Sequence, residues 1–239
     1  MSFRLFCIFP HPDDESFLMG GSIAAMTAAG HSVSLYTLTR GERSRNGHTL
    51  NLTPQEVGRR RAIEVADAAR ILGITTLFQA AYPDGGLRDL DPRILERDIA
   101  DKIRLLRPHV LCTFDVQGGS VHPDHITLHH VVKRLFVEMK TDLPFLQRLC
   151  FCVLPDARIA HWPRKVFGVP EERIHAMIDV AAMHDIEVRA LQAHGTVSRD
   201  VEEHNYDNWM LWETEYFSFF QEQPDPPVTD LFHGLIPID

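Results

Sequence analysis

Arg4-Leu5-Phe6-Cys7-Ile8-Phe9-Pro10-His11-Pro12-Asp13-Asp14-Glu15-Ser16-Phe17-Leu18-Met19-Gly20-Gly21 is the stretch that decides how the chain is read. Its first six residues are a short, almost wholly apolar run, which suits a strand covered on both faces of a parallel sheet. Proline and an acidic cluster stop the run, and Ser16 opens an apolar, glycine-containing helix to about Ala29. Strand, polar turn and helix in that order are half of a βαβ unit. The pattern continues outward. Val33–Thr39 reads as a second strand, and Thr53-Pro54-Gln55-Glu56 is a capping box with proline at the first helical position. That helix runs to Leu72 and stops at Gly73. Thr75–Phe78 reads as a short third strand, Asp91-Pro92 opens a helix that ends near Arg107-Pro108, and Val110–Phe114 is a fourth strand. A helix over His125–Met139 and a fifth strand at Arg148–Val153 come next. Beyond them the pattern weakens to one helix over Val180–His194 and a proline-rich tail from about Gln221, expected to wrap the surface. The expectation is α/β: a doubly wound, mostly parallel sheet of order 3-2-1-4-5 with helices on both faces, built as a single domain over residues 1–239.

In that order strands 1 and 4 are neighbours, and ligands of such sheets bind in the crevice at the carboxyl ends where the winding reverses. The loops after those two strands carry His11-Pro12-Asp13-Asp14-Glu15 and His122-Pro123-Asp124-His125. Each proline fixes its own φ and biases the preceding histidine to extended backbone, which stiffens the loop. Imidazole and carboxylate together suit zinc, and a site with three protein ligands and an open fourth position is catalytic rather than structural. The plain alternative is two polar loops whose Asp and Ser residues cap helices. That explains one motif alone well, and two motifs at one switch point poorly.

The composition narrows the partners. Lys and Arg number 24 against 33 Asp and Glu, a formal net charge of −9, which argues against nucleic acid or an anionic membrane as the main partner. No stretch reaches the roughly 20 apolar residues of a membrane span, and the N-terminus lacks the features of a secretory signal. Cys7, Cys112, Cys150 and Cys152 form no CxxC pair and read as buried free thiols, which points to a reducing cytoplasm. A homo-oligomer is left open.

His-Pro-Asp-Asp-Glu before a Gly-Gly helix, with a later His-Pro-Asp-His, resembles the LmbE/PIG-L superfamily of zinc-dependent de-N-acetylases. That superfamily includes the amino-sugar deacetylases of mycothiol, bacillithiol and glycosylphosphatidylinositol biosynthesis. The resemblance covers roughly Arg4 to His194 and implies a Rossmann-like fold. It implies zinc on His11, Asp14 and His125, and Asp13 as general base; the sequence itself leaves iron or cobalt open in place of zinc. It further implies that His122 stabilises the oxyanion or acts as acid and that Asp124 orients it. The chemistry agrees. Asp13 cannot easily ligate the ion held by its neighbour Asp14, so it is left to accept a proton from water. A protonated His122 can stabilise charge developing on the acetamide oxygen. Glu15, in the first turn of the helix, suits the helix dipole and is read as structural.

The family also places substrate contacts at positions matching Glu42, Arg61 and Asp84. Glu42 reads equally well as a solvated loop acid. Arg61 falls on the apolar stripe of its helix with Val57, Val65, Ala68 and Leu72, so it is either paired and buried or reaching into a pocket, and the pocket is favoured. Asp84 sits in Tyr82-Pro83-Asp84-Gly85-Gly86, which turn chemistry alone would explain. Gly118-Gly119-Ser120 could let its loop approach a ligand closely. His194 ends a helix like the family's His-x-Ser-Gln pattern, but Gly195-Thr196-Val197-Ser198-Arg199 departs from that pattern, and His194 reads as a helix C-cap. The leading expectation is deacetylation of an N-acetyl amino sugar or glycoconjugate. The alternatives are an amidase acting on another amide, such as a thiol conjugate, and a non-catalytic metal or carbohydrate-binding module. A nucleotide-binding protein is a poor fit, because the first strand-to-helix turn lacks GxGxxG.

Overall fold

The computed structural model describes residues 2–44, 50–162, 166–197 and 211–238. Its strands are β1 (Arg4–Phe9), β2 (Ser32–Thr39), β3 (Thr76–Tyr82), β4 (Val110–Phe114), β5 (Arg148–Val153), β6 (Ala176–Asp179) and β7 (Thr214–Phe219). The sheet order is β3-β2-β1-β4-β5-β7-β6. The expected order 3-2-1-4-5 is present and is extended by two late strands, the first of which runs antiparallel to β5. The helices of ten or more residues are α1 (Asp14–Ala28), α2 (Pro54–Leu72), α3 (Pro92–Leu106), α4 (Pro123–Met139) and α5 (His184–Ala193) among the described residues. Backbone contacts divide the chain into two compact units: Met1–Ile8, Gly86–Ile178 and Tyr216–Asp239 in one, Phe9–Gly85 and Asp179–Glu215 in the other.

The first unit holds β1 and β4 as parallel neighbours, with Leu5 opposite Val110 and Cys7 opposite Cys112. β5 continues the parallel run, with Cys112 opposite Cys150. β1, β4 and β5 are buried almost throughout, as the unbroken apolar runs require of a sheet covered on both faces. Leu95, Ile99 and Ile103 of α3 and Leu128, Val132 and Phe136 of α4 are buried in the core, and Arg134 of α4 pairs with Glu96 of α3. All four cysteines are free and buried. The tail does more than wrap the surface. Its Leu231 and Phe232 are buried, Phe232 stacks on Phe3 with ring centroids 4.8 Å apart, and Arg148 donates to the Leu231 carbonyl at 2.6 Å.

In the second unit β2 and β3 pair in parallel from Ser34↔Thr76 to Thr39↔Tyr82 across a register shift. β3 therefore runs to Tyr82, past the Phe78 that the sequence pattern supports, because its pairing with β2 continues where Gln79-Ala80-Ala81 has lost the apolar alternation. The capping box of α2 forms as expected: Glu56 N donates to Thr53 Oγ1 at 3.3 Å and Thr53 N to Glu56 Oε2 at 2.8 Å. Gly73 closes the helix in the left-handed region, with φ 77°. α1 starts at Asp14, two residues before the expected Ser16, because Asp13 rather than the serine occupies the N-cap. α1 is also kinked at Met19, where φ is −153°. Among the described residues no helix is long and apolar enough to cross a membrane.

Candidate active site

At the start of the second unit the chain turns at once into α1, and Asp13 makes the turn with φ 115° and ψ −28°. A non-glycine residue rarely adopts positive φ, and the conformation costs about 1–3 kcal/mol. An N-cap aspartate ordinarily sits in extended backbone and caps the N–H of the second or third helical residue. Here the side chain makes no cap bond. Its Oδ2 lies 2.9 Å from Nη2 of Arg61 instead. Burial raises the Asp13 carboxyl to about 6, against the opposing charge of Arg61.

Arg61 itself is 4 % exposed, and its guanidinium also donates to the carbonyls of Pro12 and, at 3.0 Å, Gly41. Gly41 is a required glycine: φ is +60°, and a Cβ there would fall on the guanidinium. Of the two readings that the stripe position leaves for Arg61, its described contacts are those of a buried pair. Asp13 and the two carbonyls make up those contacts of the guanidinium.

Beside Asp13, the backbone N–H of His11 donates to Asp14 Oδ2 at 2.9 Å, which sets the orientation of that carboxylate. His11 Nε2 lies 3.2 Å from Asp84 Oδ1. Asp84 is buried, which pushes its carboxyl up, but the His11 hydrogen bond and charge and the Arg43 N–H outweigh burial and hold it at about 2. Asp84 Oδ2 accepts from Arg43 N at 2.7 Å, and the half-buried Glu42 accepts from Asp84 N at 3.0 Å through Oε1. The loop after β2 and the loop after β3 are thus tied by their acids. This unit brings together His11, Asp13, Asp14, Glu42, Arg61 and Asp84.

The first unit brings together the second motif. His122 is the N-cap of α4, and its Nδ1 accepts from Asp124 N at 3.2 Å, which leaves the ring proton on Nε2. Asp124 is fully buried, and its Oδ1 accepts from Leu87 N at 3.0 Å. His125 stacks on Phe114 at 3.9 Å and donates through Nδ1 to the Gly118 carbonyl at 2.8 Å. A carbonyl only accepts, so Nδ1 carries the hydrogen and the lone pair lies on Nε2. That is the second-sphere arrangement typical of a metal-bound histidine. Gly118 has φ +58°, and a Cβ there would collide with the Cβ of His125. The glycine thus lets the loop lie close against the histidine.

Two side chains matter more than their sequence reading suggests. Glu15 is fully buried, and its Oε1 lies 2.7 Å from Nε2 of His194. His194 does stand at the C-cap of α5, but its side chain closes on α1. Neither sequence neighbourhood announces a partner 179 positions away. Glu64, also on the α2 stripe, accepts from Thr196 N at 2.9 Å and Thr196 Oγ1 at 2.7 Å. Ser198 and Arg199, which depart from the family pattern, lie outside the described residues.

The fold and these groups define a class: an α/β protein whose strand-end loops present imidazoles and carboxylates of the kind that hold a divalent cation. A profile of the PIG-L family, described as GlcNAc-PI de-N-acetylase, matches residues 6–136, and the chain belongs to that family. It is thereby a member of a family of N-deacetylases, which are amide hydrolases. Among its relatives is the 1D-myo-inositol 2-acetamido-2-deoxy-alpha-D-glucopyranoside deacetylase of Mycobacterium sp. (strain KMS), 29% identical over 229 residues, which cover 81% of this chain and 73% of the relative. In fold it resembles the N,N'-diacetylchitobiose deacetylase of Pyrococcus horikoshii, with a TM-score of 0.70 and 18% identity over 91% of this chain and 83% of the other. It also resembles the 4-carboxy-2-hydroxymuconate hydratase of Pseudomonas putida KT2440, with a TM-score of 0.68 and 16% identity over 93% and 98% of the two chains. The fold alone therefore does not fix the chemistry.

Proposed function

We propose that this protein is a zinc-dependent deacetylase that removes the acetyl group from an N-acetylated amino sugar or glycoconjugate. One observation carries the reading: the two histidine–aspartate motifs come directly after β1 and β4, which are paired, parallel neighbours, and each motif already orients a metal-binding group. His11, Asp14 and His125 would hold the zinc. The donor set fits the ion, because it combines a histidine with Nε2 left as acceptor, a second imidazole, and a carboxylate fixed by a backbone N–H. Zinc held there would supply a water of pKa about 7 and a Lewis acid for the scissile carbonyl.

The chain's own groups do the rest. Asp13, aimed away from its capping role, accepts the proton of the attacking water. His122, with hydrogen on Nε2, donates to the developing oxyanion or to the departing amine. Asp124 occupies the turn that carries His122. Arg61 holds the Asp13 carboxylate, while Glu42 and Asp84 form the acidic edge that meets sugar hydroxyls, since carboxylates accept from hydroxyl donors. A small-molecule sugar substrate fits the surplus of acidic over basic residues, and a cytoplasmic setting fits four free thiols.

The test is amine release by zinc-loaded protein from N-acetylglucosamine and glucosaminides, set against simple aliphatic acetamides. Turnover of the sugars with slower turnover of the acetamides is expected. Equal rates on both, or none on any sugar, would move the reaction to another amide.

A further inference from the structure

Outside the metal-ligand residues, one buried polar cluster has a geometry that leads back to the reaction. Asp13 is held at a positive φ that non-glycine residues rarely adopt, with φ 115° and no side-chain cap bond. Its backbone N–H donates to Glu15 Oε2 at 3.1 Å. The other carboxylate oxygen, Oε1, accepts from Ser16 Oγ at 2.7 Å and lies 2.7 Å from His194 Nε2. Ser16 Oγ and His194 Nε2 are themselves 3.3 Å apart. Glu15 and His194 are 0 % and 1 % exposed. A carboxylate so deeply buried needs its oxygens satisfied, and here one of them is spent on the peptide N–H that enters Asp13.

We infer that the buried Glu15–His194 pair is a positioning device for Asp13, holding its amide so that the carboxylate leaves the capping geometry and faces the attacking water. The inference rests on the reading of Asp13 as general base. Glu15 and His194 touch no reacting atom and act only through Asp13. The amide is fixed from one side by Glu15 and the carboxylate from the other by Arg61 at 2.9 Å. His194 adds to the neighbouring Ser16 hydroxyl a second partner for Oε1, brought from outside α1. Without it, Oε1 keeps only Ser16, Glu15 is held less firmly, and the N–H of Asp13 loses a fixed acceptor. Asp13 then relaxes toward an ordinary N-cap with negative φ and its oxygens on helix amides. The family resemblance of the motif does not announce this pair, because its two members stand on α1 and at the end of α5.

The test uses full-length, zinc-loaded protein with His194→Ala, His194→Gln and Glu15→Gln. His194→Ala and Glu15→Gln should keep their zinc and a KM within about threefold while kcat per zinc falls about 10–100-fold, the range seen when an outer-sphere partner is removed. His194→Gln keeps an N–H donor near Glu15 and should recover part of the loss. A role confined to stability would lower Tm and leave kcat per zinc unchanged in all three. The readout independent of activity is the Asp13 backbone in crystals of these variants. A φ that leaves the positive region in His194→Ala and returns in His194→Gln upholds the inference. A φ retained in His194→Ala, or an unchanged kcat per zinc, overturns it. Where His194→Ala does not fold, Glu15→Gln, which preserves volume, carries the same two readouts. Should zinc-loaded wild-type protein release amine from no sugar, it is the reaction that is misassigned, and the Asp13 torsion alone decides the positioning claim.

Discussion

Asp13 is the residue on which most local choices converge. It stands beside Asp14 in the sequence, yet the two carboxylates face different partners: Asp14 the N–H of His11, Asp13 the guanidinium of Arg61. The sequence supplies the candidates, since two acids flanked by a proline-stiffened histidine are readable as ligand plus base. It does not supply the holders. Arg61 is legible as a charge on an apolar stripe, but that position does not say which partner neutralises it, and Glu15 with His194 is invisible without the fold. Asp13→Asn, nearly isosteric, should keep zinc, as read by metal analysis, and lose about 10²–10⁴-fold in kcat, the scale of a lost general base. Loss of the metal in that variant would show that the two aspartates are assigned the wrong way round. Arg61→Ala should lower kcat at least as much as it raises KM, because it frees the base rather than the sugar. A rise in KM at constant kcat in steady-state kinetics would return Arg61 to the pocket.

Among the elements, the kink of α1 at Met19 has an owner late in the chain. Backbone amides next to the kink, those of Gly21 and Ser22, donate to Glu215 of β7 at 2.9 and 2.8 Å. This explains why β7 is hard to read from sequence: an acid, Glu215, stands directly before the apolar pair Tyr216-Phe217, and its partners lie on another element. β6 spans only four residues and alternates buried with exposed, too short a signal to separate from a loop. Burial raises Glu215 to about 7 despite those amides, and burial together with the charge of Glu215 raises Glu187 of α5 to about 8. Both folded values exceed the ordinary carboxyl value near 4.5, so the native state holds protons that the unfolded chain releases. The pair's contribution is full below about pH 4.5 and is lost as pH rises through 7 to 8. Thermal melts from pH 5 to 9 should therefore fall toward alkaline pH, and Glu187→Gln, which cannot ionise, should flatten that fall. Parallel wild-type and Glu187→Gln curves would mean that Glu187 is ionised throughout.

Across the molecule, the alternation of strands and helices through Val153 is legible because each element carries its own period and its own stop signals. The described segments beyond Val153 are set by packing. The tail buries Leu231 and Phe232 and ties Ile238 N to His109 Nε2 at 3.1 Å, contacts that no local pattern encodes. The proposal that the motifs after β1 and β4 hold one catalytic zinc joins residues more than a hundred positions apart. It is met head-on by measuring zinc content and acetate release together in wild-type protein and in His125→Ala, with N-acetylglucosamine or a glucosaminide as substrate. About one zinc per chain and acetate release are expected in the wild type, with both lost in His125→Ala, since three ligands are near the minimum for retaining the ion. Full zinc occupancy in His125→Ala, or undiminished acetate release from it, would refute the shared zinc site.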